Sequence, residues 1–177
     1  MKSILMSIRP EWCKKIFDGE KTIEVRKTRP LIDMPFKVFM YETKAQFVKS
    51  IRGACTTFGY GRGKVIGSFV CDKIEKIDLQ AQCTATLSER WTFNRIAKQA
   101  CLTAEQLNEY LSGNNGYSWH ITEPKLFDKP RELTFYKPCP KKWKNCPVCE
   151  FYSSYTGCCA NRLTRPPQSW CYIEIDE

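Results

Sequence analysis

Lys21, Glu24 and Arg26 crowd two cations and a carboxylate into one short stretch, Gly19-Glu20-Lys21-Thr22-Ile23-Glu24-Val25-Arg26. Such a set suits an anionic, hydrogen-bonding ligand. Lys21 and Arg26, joined by Arg9, hold phosphate, and Glu24 accepts from an exocyclic amine or a ribose hydroxyl. Ser7 and Thr22 add hydroxyls next to these charges. Tyr117, Trp119 or Trp170 supplies a face on which a base stacks, worth roughly 1 to 3 kcal/mol per base. The same residues admit catalysis, because a partly desolvated lysine beside a carboxylate serves as base or nucleophile. His120 is an acid/base candidate by chemistry, although one histidine in a strand is more often a hydrogen-bonded core residue. The plainest alternative makes Glu24 and Arg26 a surface ion pair, worth about 0 to 1 kcal/mol and of no functional consequence.

A second concentration of reactive side chains lies late in the chain. Cys139, Cys146, Cys149, Cys158 and Cys159 fall in a segment rich in Pro, Lys and aromatic residues and poor in aliphatic ones. Apolar burial alone cannot order such a segment. Four thiolates on zinc would, and Cys146-Pro147-Val148-Cys149 has the spacing that brings two sulfurs to one tetrahedral ion. Structural zinc on Cys139, Cys146, Cys149 and one of Cys158 or Cys159 is the expectation; a disulfide or an unliganded loop is the alternative. No histidine marks an open, catalytic metal site there. Cys13, Cys55, Cys71, Cys83 and Cys101 are scattered singly and are expected to act as small buried hydrophobes.

The elements around Lys21 follow from periodicity. Ile4 to Arg9 predicts a strand ended by Pro10, with Ile4, Met6 and Ile8 on one face and Leu5, Ser7 and Arg9 on the other. Glu11 to Asp18 predicts a two-turn helix: Pro10 suits its start, Trp12 and Ile16 repeat at four, and Gly19 supplies the stop. Thr22 to Arg26 then forms a strand that sends Ile23 and Val25 into the core and presents Thr22, Glu24 and Arg26 together. Residues three apart on a strand face opposite ways, so Lys21 approaches Glu24 only from the turn before it.

Phe36–Tyr41, Val65–Cys71, Tyr117–Ile121 and Cys171–Glu174 predict further strands, with Ile74 and Ile77 after the second and Leu126-Phe127 after the third. Gly59-Tyr60-Gly61-Arg62-Gly63-Lys64 lacks the spacing of a phosphate-binding loop and precedes a strand, so it predicts a hairpin-like turn. Ser88 is placed to cap a helix carrying Phe93, Ile96, Ala97 and Ala100. Thr103-x-x-Gln106 is a capping-box signature for another, with Leu107 and Leu111. Short strands with a few helices between them argue for a small α+β mixed barrel over a doubly wound sheet.

Composition bounds the rest. The chain has 177 residues, 42% of them hydrophobic, enough for one core but not two generous ones. One domain over 1–177 is expected. No run approaches the roughly 18 to 20 apolar residues that span a bilayer, nor is there a signal-peptide core, so a cytosolic location without membrane contact is expected. The odd number of cysteines, eleven, argues against a full disulfide framework. Of the net charge of +9, residues 1–65 carry +8, which places a polyanion-attracting field around the early elements. A basic surface that merely aids solubility gives the same count.

The stretches Ser7-Ile8-Arg9-Pro10-Glu11-Trp12, Lys15 through Lys27, Lys37 through Thr43 and Gly63 through Gly67 together resemble the ASCH domain family (activating signal cointegrator homology), a branch of the PUA-like superfamily. Gly116 through Ile121, Asp128-Lys129-Pro130 and Pro166 through Cys171 extend the likeness, and residues 134–165 look like a Cys-rich insertion before the last strand. The resemblance implies a PUA-like β-barrel with an open cleft and a role in RNA binding or RNA metabolism. RNA, a nucleotide or a nucleoside is therefore the expected partner, with DNA also compatible. One branch hydrolyses N4-acetylcytidine with a lysine, a threonine and a glutamate. Its lysine matches Lys21, Glu24 stands where its threonine would be, and its glutamate would be Glu105 or Glu109. A binding domain, an amidohydrolase on acylated nucleosides and a zinc-stabilised protein-interaction module are the three classes carried forward, with Lys21 and Glu24 as the catalytic candidates in the second.

Overall fold

The computed structural model describes residues 2–50, 56–78, 87–138 and 162–174. Its elements in order are β1 (Lys2–Ile8), α1 (Pro10–Phe17), β2 (Ile23–Arg26), β3 (Phe36–Glu42), β4 (Gln46–Ser50), β5 (Thr56–Tyr60), β6 (Lys64–Cys71), β7 (Ile74–Ile77), α2 (Leu87–Gln99), α3 (Ala104–Leu111), β8 (Gly116–His120), β9 (Thr122–Arg131), β10 (Lys137–Pro138) and β11 (Trp170–Glu174). A 3-10 turn, Leu133–Phe135, follows β9.

A six-stranded sheet in the order β10-β11-β1-β3-β6-β9 carries the framework. β1 and β3 run parallel, with Ile4 opposite Val38 and Ile8 opposite Glu42. A parallel pair needs a crossover, and α1 with β2 is that crossover. The motif around Lys21 is thus fixed at both ends by the sheet. A second sheet, β2-β8-β7, and the β4-β5 hairpin complete the strands. The sheets remain open: among the described residues β10 and β9 end the large one without pairing to each other, so the α+β fold expected is present but its mixed barrel is replaced by two packed sheets.

Alternation along β1 divides the core. Ile4, Met6 and Ile8 pack with Cys13, Ile16, Val38, Met40, Phe69 and Trp119 on one face of the large sheet. Leu5 points the other way, against Phe39, Tyr41, Val65, Leu133, Tyr136 and Ile173. Both faces are covered, which is why Ser7, on the face opposite Ile4, Met6 and Ile8, is also buried. A third cluster joins Ile23, Val25 and Ile77 to Phe93, Ile96, Ala97, Ala100, Leu107 and Leu111 of the helices.

The helices follow their sequence signals closely. Pro10 stands at the start of α1, and beyond its end Gly19 takes φ +77°, a conformation open to glycine and strained for other residues. In α3 the Thr103 hydroxyl accepts from the Gln106 amide at 3.2 Å while the Gln106 side chain accepts from the Thr103 amide at 2.9 Å. Ser88 lies within α2 (Leu87–Gln99) and not before it. The β4-β5 hairpin occupies a stretch for which the sequence predicts no strand, and Gly59 and Tyr60 of the expected hairpin-like turn lie in β5. Its link to β6 is put to structural use: the Arg62 amide donates to the Glu42 carboxylate at 2.7 Å. Cys13 and Cys71 are buried as expected, and burial holds the Cys71 thiol up at about 12. Cys101 is only half-buried, in a left-handed turn after α2, where a core role does not apply. Cys55 and Cys83 lie outside the described residues.

Candidate functional site

β2 is the wall between an apolar cluster and a cavity. Its odd positions, Ile23 and Val25, go to the helices, whereas Glu24 and Arg26 face the opposite side with Trp119 and Tyr117 of β8 across the ladder. They line a cavity of about 550 Å³ together with Val25 between them, Ser7 and Ile8 at the end of β1, Arg9, Trp12 of α1, Lys21, Thr43, Leu102, Tyr110 and Gln168. That volume is in the range of small-ligand sites.

Lys21 sits in the turn, as strand parity requires. Its amide donates to the Lys15 carbonyl at 3.0 Å, which tucks the turn against α1. Its Nζ donates to the Ala100 carbonyl at 2.8 Å, lies 3.2 Å from Glu24 Oε2 and stands 5.2 Å from the centre of the Trp12 ring. Three features thus hold the ammonium: the negative end of α2, a carboxylate and an aromatic face. Arg26 Nη2 lies 3.0 Å from Glu24 Oε1 and donates to the Ser7 carbonyl at 2.7 Å; Nη1 donates to Ser169 Oγ at 3.3 Å. β1, β2 and the segment before β11 are pinned together by that one guanidinium.

These charges are not a surface pair. Lys21 is 3% exposed, and Glu24 and Arg26 are 7% exposed each. Withdrawing three ions from water carries a desolvation penalty of several kcal/mol per ion that only good mutual geometry offsets. The geometry here is incomplete: Glu24 Oε2, Arg26 Nε and Thr43 Oγ1 are buried with no hydrogen-bond partner. Two cations share one carboxylate, so the wall retains a net positive charge. Arg9 stands at the mouth, its side chain 68% exposed and its Nη1 3.7 Å from Glu11 Oε1. The phenol of Tyr110 is pushed above its ordinary pKa, desolvation outweighing the pull of Arg26.

Of the residues singled out by sequence, the cavity gathers Ser7, Arg9, Lys21, Glu24 and Arg26. Thr22 is exposed, outside β2 and outside the cavity; only its backbone is engaged, with Gln99 and Ile121. Trp119 is fully buried, edge-on to Phe36 at 5.8 Å and tilted on Trp170 at 5.6 Å, so no base can reach its ring. Tyr117 and Trp170 pack partly buried against the same core and do not line the cavity. Trp170 Nε1 donates to Thr28 at 3.1 Å. The aromatic walls are instead Trp12 and Tyr110. Trp12 was concealed by its helical repeat with Ile16, and Tyr110 stands one position before the Leu111 of its helix's core stripe. Only the docking of α3 against β2 brings that ring to the cavity.

His120 is elsewhere. Its Nε2 lies 2.8 Å from Glu75 Oε2, and Lys73 and Arg95 meet the same carboxylate at 2.8 and 3.3 Å. Lys73 first, then His120 and Arg95, draw the Glu75 carboxyl down to about 2 against the effect of partial burial. Glu105 and Glu109 are exposed on α3 and line no part of the cavity. Cys139, Cys146, Cys149, Cys158 and Cys159 lie outside the described residues. Among the described residues no group of His, Cys, Asp and Glu is placed to hold a metal ion, and no helix is long and apolar enough to cross a membrane.

Residues 6–131 match the ASCH domain. The fold is similar to that of crystal structures of the ASCH protein of Zymomonas mobilis. The protein itself is 21% identical over 74% of this chain and 73% of that chain, with a TM-score of 0.52. One of its point mutants gives 21%, 74%, 74% and 0.52, and another 20%, 75%, 77% and 0.50. At this identity the likeness is one of fold. No curated protein matches the chain.

Proposed function

Because this chain belongs to the ASCH domain family, whose PUA-like members are generally associated with RNA, we propose that it is an RNA-binding domain that takes one unstacked nucleotide into the cavity beside β2. The observation that carries this reading is the Glu24 carboxylate: buried at the cavity wall, ion-paired to Arg26 through Oε1 and to Lys21 through Oε2, with Oε2 accepting no hydrogen bond. A base edge bearing an amine completes it. Arg26 Nε and the Thr43 hydroxyl await an acceptor, which a base carbonyl or ribose oxygen provides. Trp12 and Tyr110 flank the ring, and Arg9 meets a phosphate at the mouth.

A hydrolytic reading draws on the Lys21–Glu24 contact and on the Thr43 hydroxyl, the threonine this cavity has when position 24 is a carboxylate. Against it, both groups of that contact are engaged elsewhere, Lys21 Nζ with the Ala100 carbonyl and Glu24 with Arg26. Zinc on the late cysteines remains a proposal, tested by elemental analysis of the purified protein: a zinc content near zero with freely reactive thiols removes it.

A thermal-shift screen of nucleosides and short RNAs tests the binding reading, since a ligand selective for the folded state raises Tm. Amine-bearing bases should raise it, and Glu24→Gln should abolish the shift. Equal Tm with and without every nucleoside and RNA would contradict the proposal. Steady release of acetate from N4-acetylcytidine, lost in Lys21→Ala, would replace it with hydrolysis.

A further inference from the structure

The other face of the large sheet holds a second concavity that has no part in the cavity described above. It measures about 730 Å³ and is floored by Lys37 and Phe39 of β3, β9 from Lys125 to Arg131, and Phe135 of the 3-10 turn. Four cations, Lys37, Lys125, Lys129 and Arg131, stand in it against one carboxylate, Asp128. We propose that this groove binds single-stranded RNA along its sugar-phosphate backbone, with Phe135 as a stacking platform, as a site separate from the Glu24 cavity.

Two independent features support an RNA strand here. The first is charge, a local excess of cations matched to a row of phosphates. The second is aromatic surface of an unusual kind. Phe135 is 72% exposed, yet it is rigidly presented: Leu133 and Tyr136 on either side of it are buried, and the turn closes with the Phe135 amide donating to the Glu132 carbonyl at 3.2 Å. A phenylalanine held out this way contributes nothing to the core. Below it, Arg131 stacks 4.4 Å above the Phe127 ring and Lys37 lies 5.3 Å from Phe39, so these cations are held over aromatic faces and are positioned before any ligand arrives.

The competing explanation is edge protection. Among the described residues β9 pairs only with β6, and lysines on such an edge discourage pairing with another chain. Edge protection accounts for Lys125 and Lys129. It does not account for Phe135 or for Leu126, 53% exposed, since exposed apolar side chains on an edge work against it. Basic groups interleaved with accessible rings are what a single strand uses, phosphates on the cations and bases on the rings.

This proposal does not depend on the reading of the Glu24 cavity, and its test keeps the two apart. Binding of a twelve-nucleotide single-stranded RNA is followed by fluorescence anisotropy across a salt series, for the wild-type chain and for Lys125→Glu, Lys129→Glu and Phe135→Ala. Lys76→Glu, an exposed reversal on β7, serves as the control for bulk charge. Each groove lysine reversal should weaken binding about threefold or more and lower the slope of log K against log salt by about 0.7 or more, as the loss of one phosphate contact to a single strand does. Phe135→Ala should weaken binding about fivefold or more with the slope unchanged, the signature of lost stacking. Groove variants that bind like the wild type, or no worse than Lys76→Glu, would overturn the proposal. So would a normal affinity in Phe135→Ala alongside weakened lysine variants, because the groove would then be attracting any polyanion and not an RNA strand.

Discussion

The cavity beside β2 and the groove along β9 are both basic and both aromatic, but they hold their charges in opposite ways. In the cavity Lys21, Glu24 and Arg26 are buried, bonded to one another and to the Ala100 and Ser7 carbonyls. In the groove Lys125 and Lys129 face solvent. The first arrangement ties recognition to folding, since the residues that would touch a ligand also pin β1, β2, α2 and the segment before β11. The second leaves recognition free of the fold. A buried polar cluster gives orientation at the expense of stability, whereas solvated lysines add attraction at little expense to the fold.

Breaking the cavity should therefore produce the largest loss. Glu24→Ala leaves two buried cations without their carboxylate and is expected to destabilise the fold by about 3 to 5 kcal/mol, read from the urea midpoint. A loss below about 1 kcal/mol would mean that the cluster is solvated and the cavity not organised as described.

Loosening the cavity wall without touching its charges should have a middling effect. Thr103→Ala removes half of the capping box of α3, the helix that presents Tyr110, and should lower stability by about 1 kcal/mol. Ligand affinity in the folded protein should be retained.

A pH series tests the third charged cluster against the first. The Glu75 carboxyl is held at about 2 in the folded chain against an ordinary 4.5. Its contribution is present in full above pH 4.5 and is lost as pH falls toward 2, because a depressed folded pKa makes protonation favour the unfolded chain. The stability gap between wild type and Glu75→Gln should thus be constant near neutrality and shrink through that window. A gap unchanged down to pH 2 would show that Lys73 and His120 do not stabilise the carboxylate.

The smallest effect belongs to the groove. Lys125→Glu and Lys129→Glu alter no buried contact and should change stability by within about 0.5 kcal/mol, while changing RNA binding as described above. Large destabilisation by either would erase the contrast between the two regions.

How far these features were legible in the sequence differs by element. α1, α3 and the parity of β2 were legible because each rests on local rules: proline at the start of a helix, the reciprocal Thr103–Gln106 cap, and alternation that separates Ile23 and Val25 from Glu24 and Arg26. Lys21 in a turn beside Glu24 followed from the same parity. The aromatic walls were not legible. Trp119 and Trp12 are both tryptophans among apolar neighbours, and only tertiary packing decides that the first is sealed between Phe36 and Trp170 while the second borders the cavity. Sheet closure was also out of reach, since strand count and length do not say whether β9 and β10 meet. His120 found its partner in Glu75, far away in sequence, and nothing local announced it.

The central claim is that Glu24 reads a nucleotide in the cavity. Calorimetric titration of the folded protein with a mononucleotide bearing an amine-substituted base tests it most directly, on the wild type, Glu24→Gln and Lys129→Glu. The account predicts saturable binding by the wild type and by Lys129→Glu, and at least a tenfold loss in Glu24→Gln, about 1.4 kcal/mol. Equal affinity in Glu24→Gln and wild type, or a loss in Lys129→Glu instead, would contradict it.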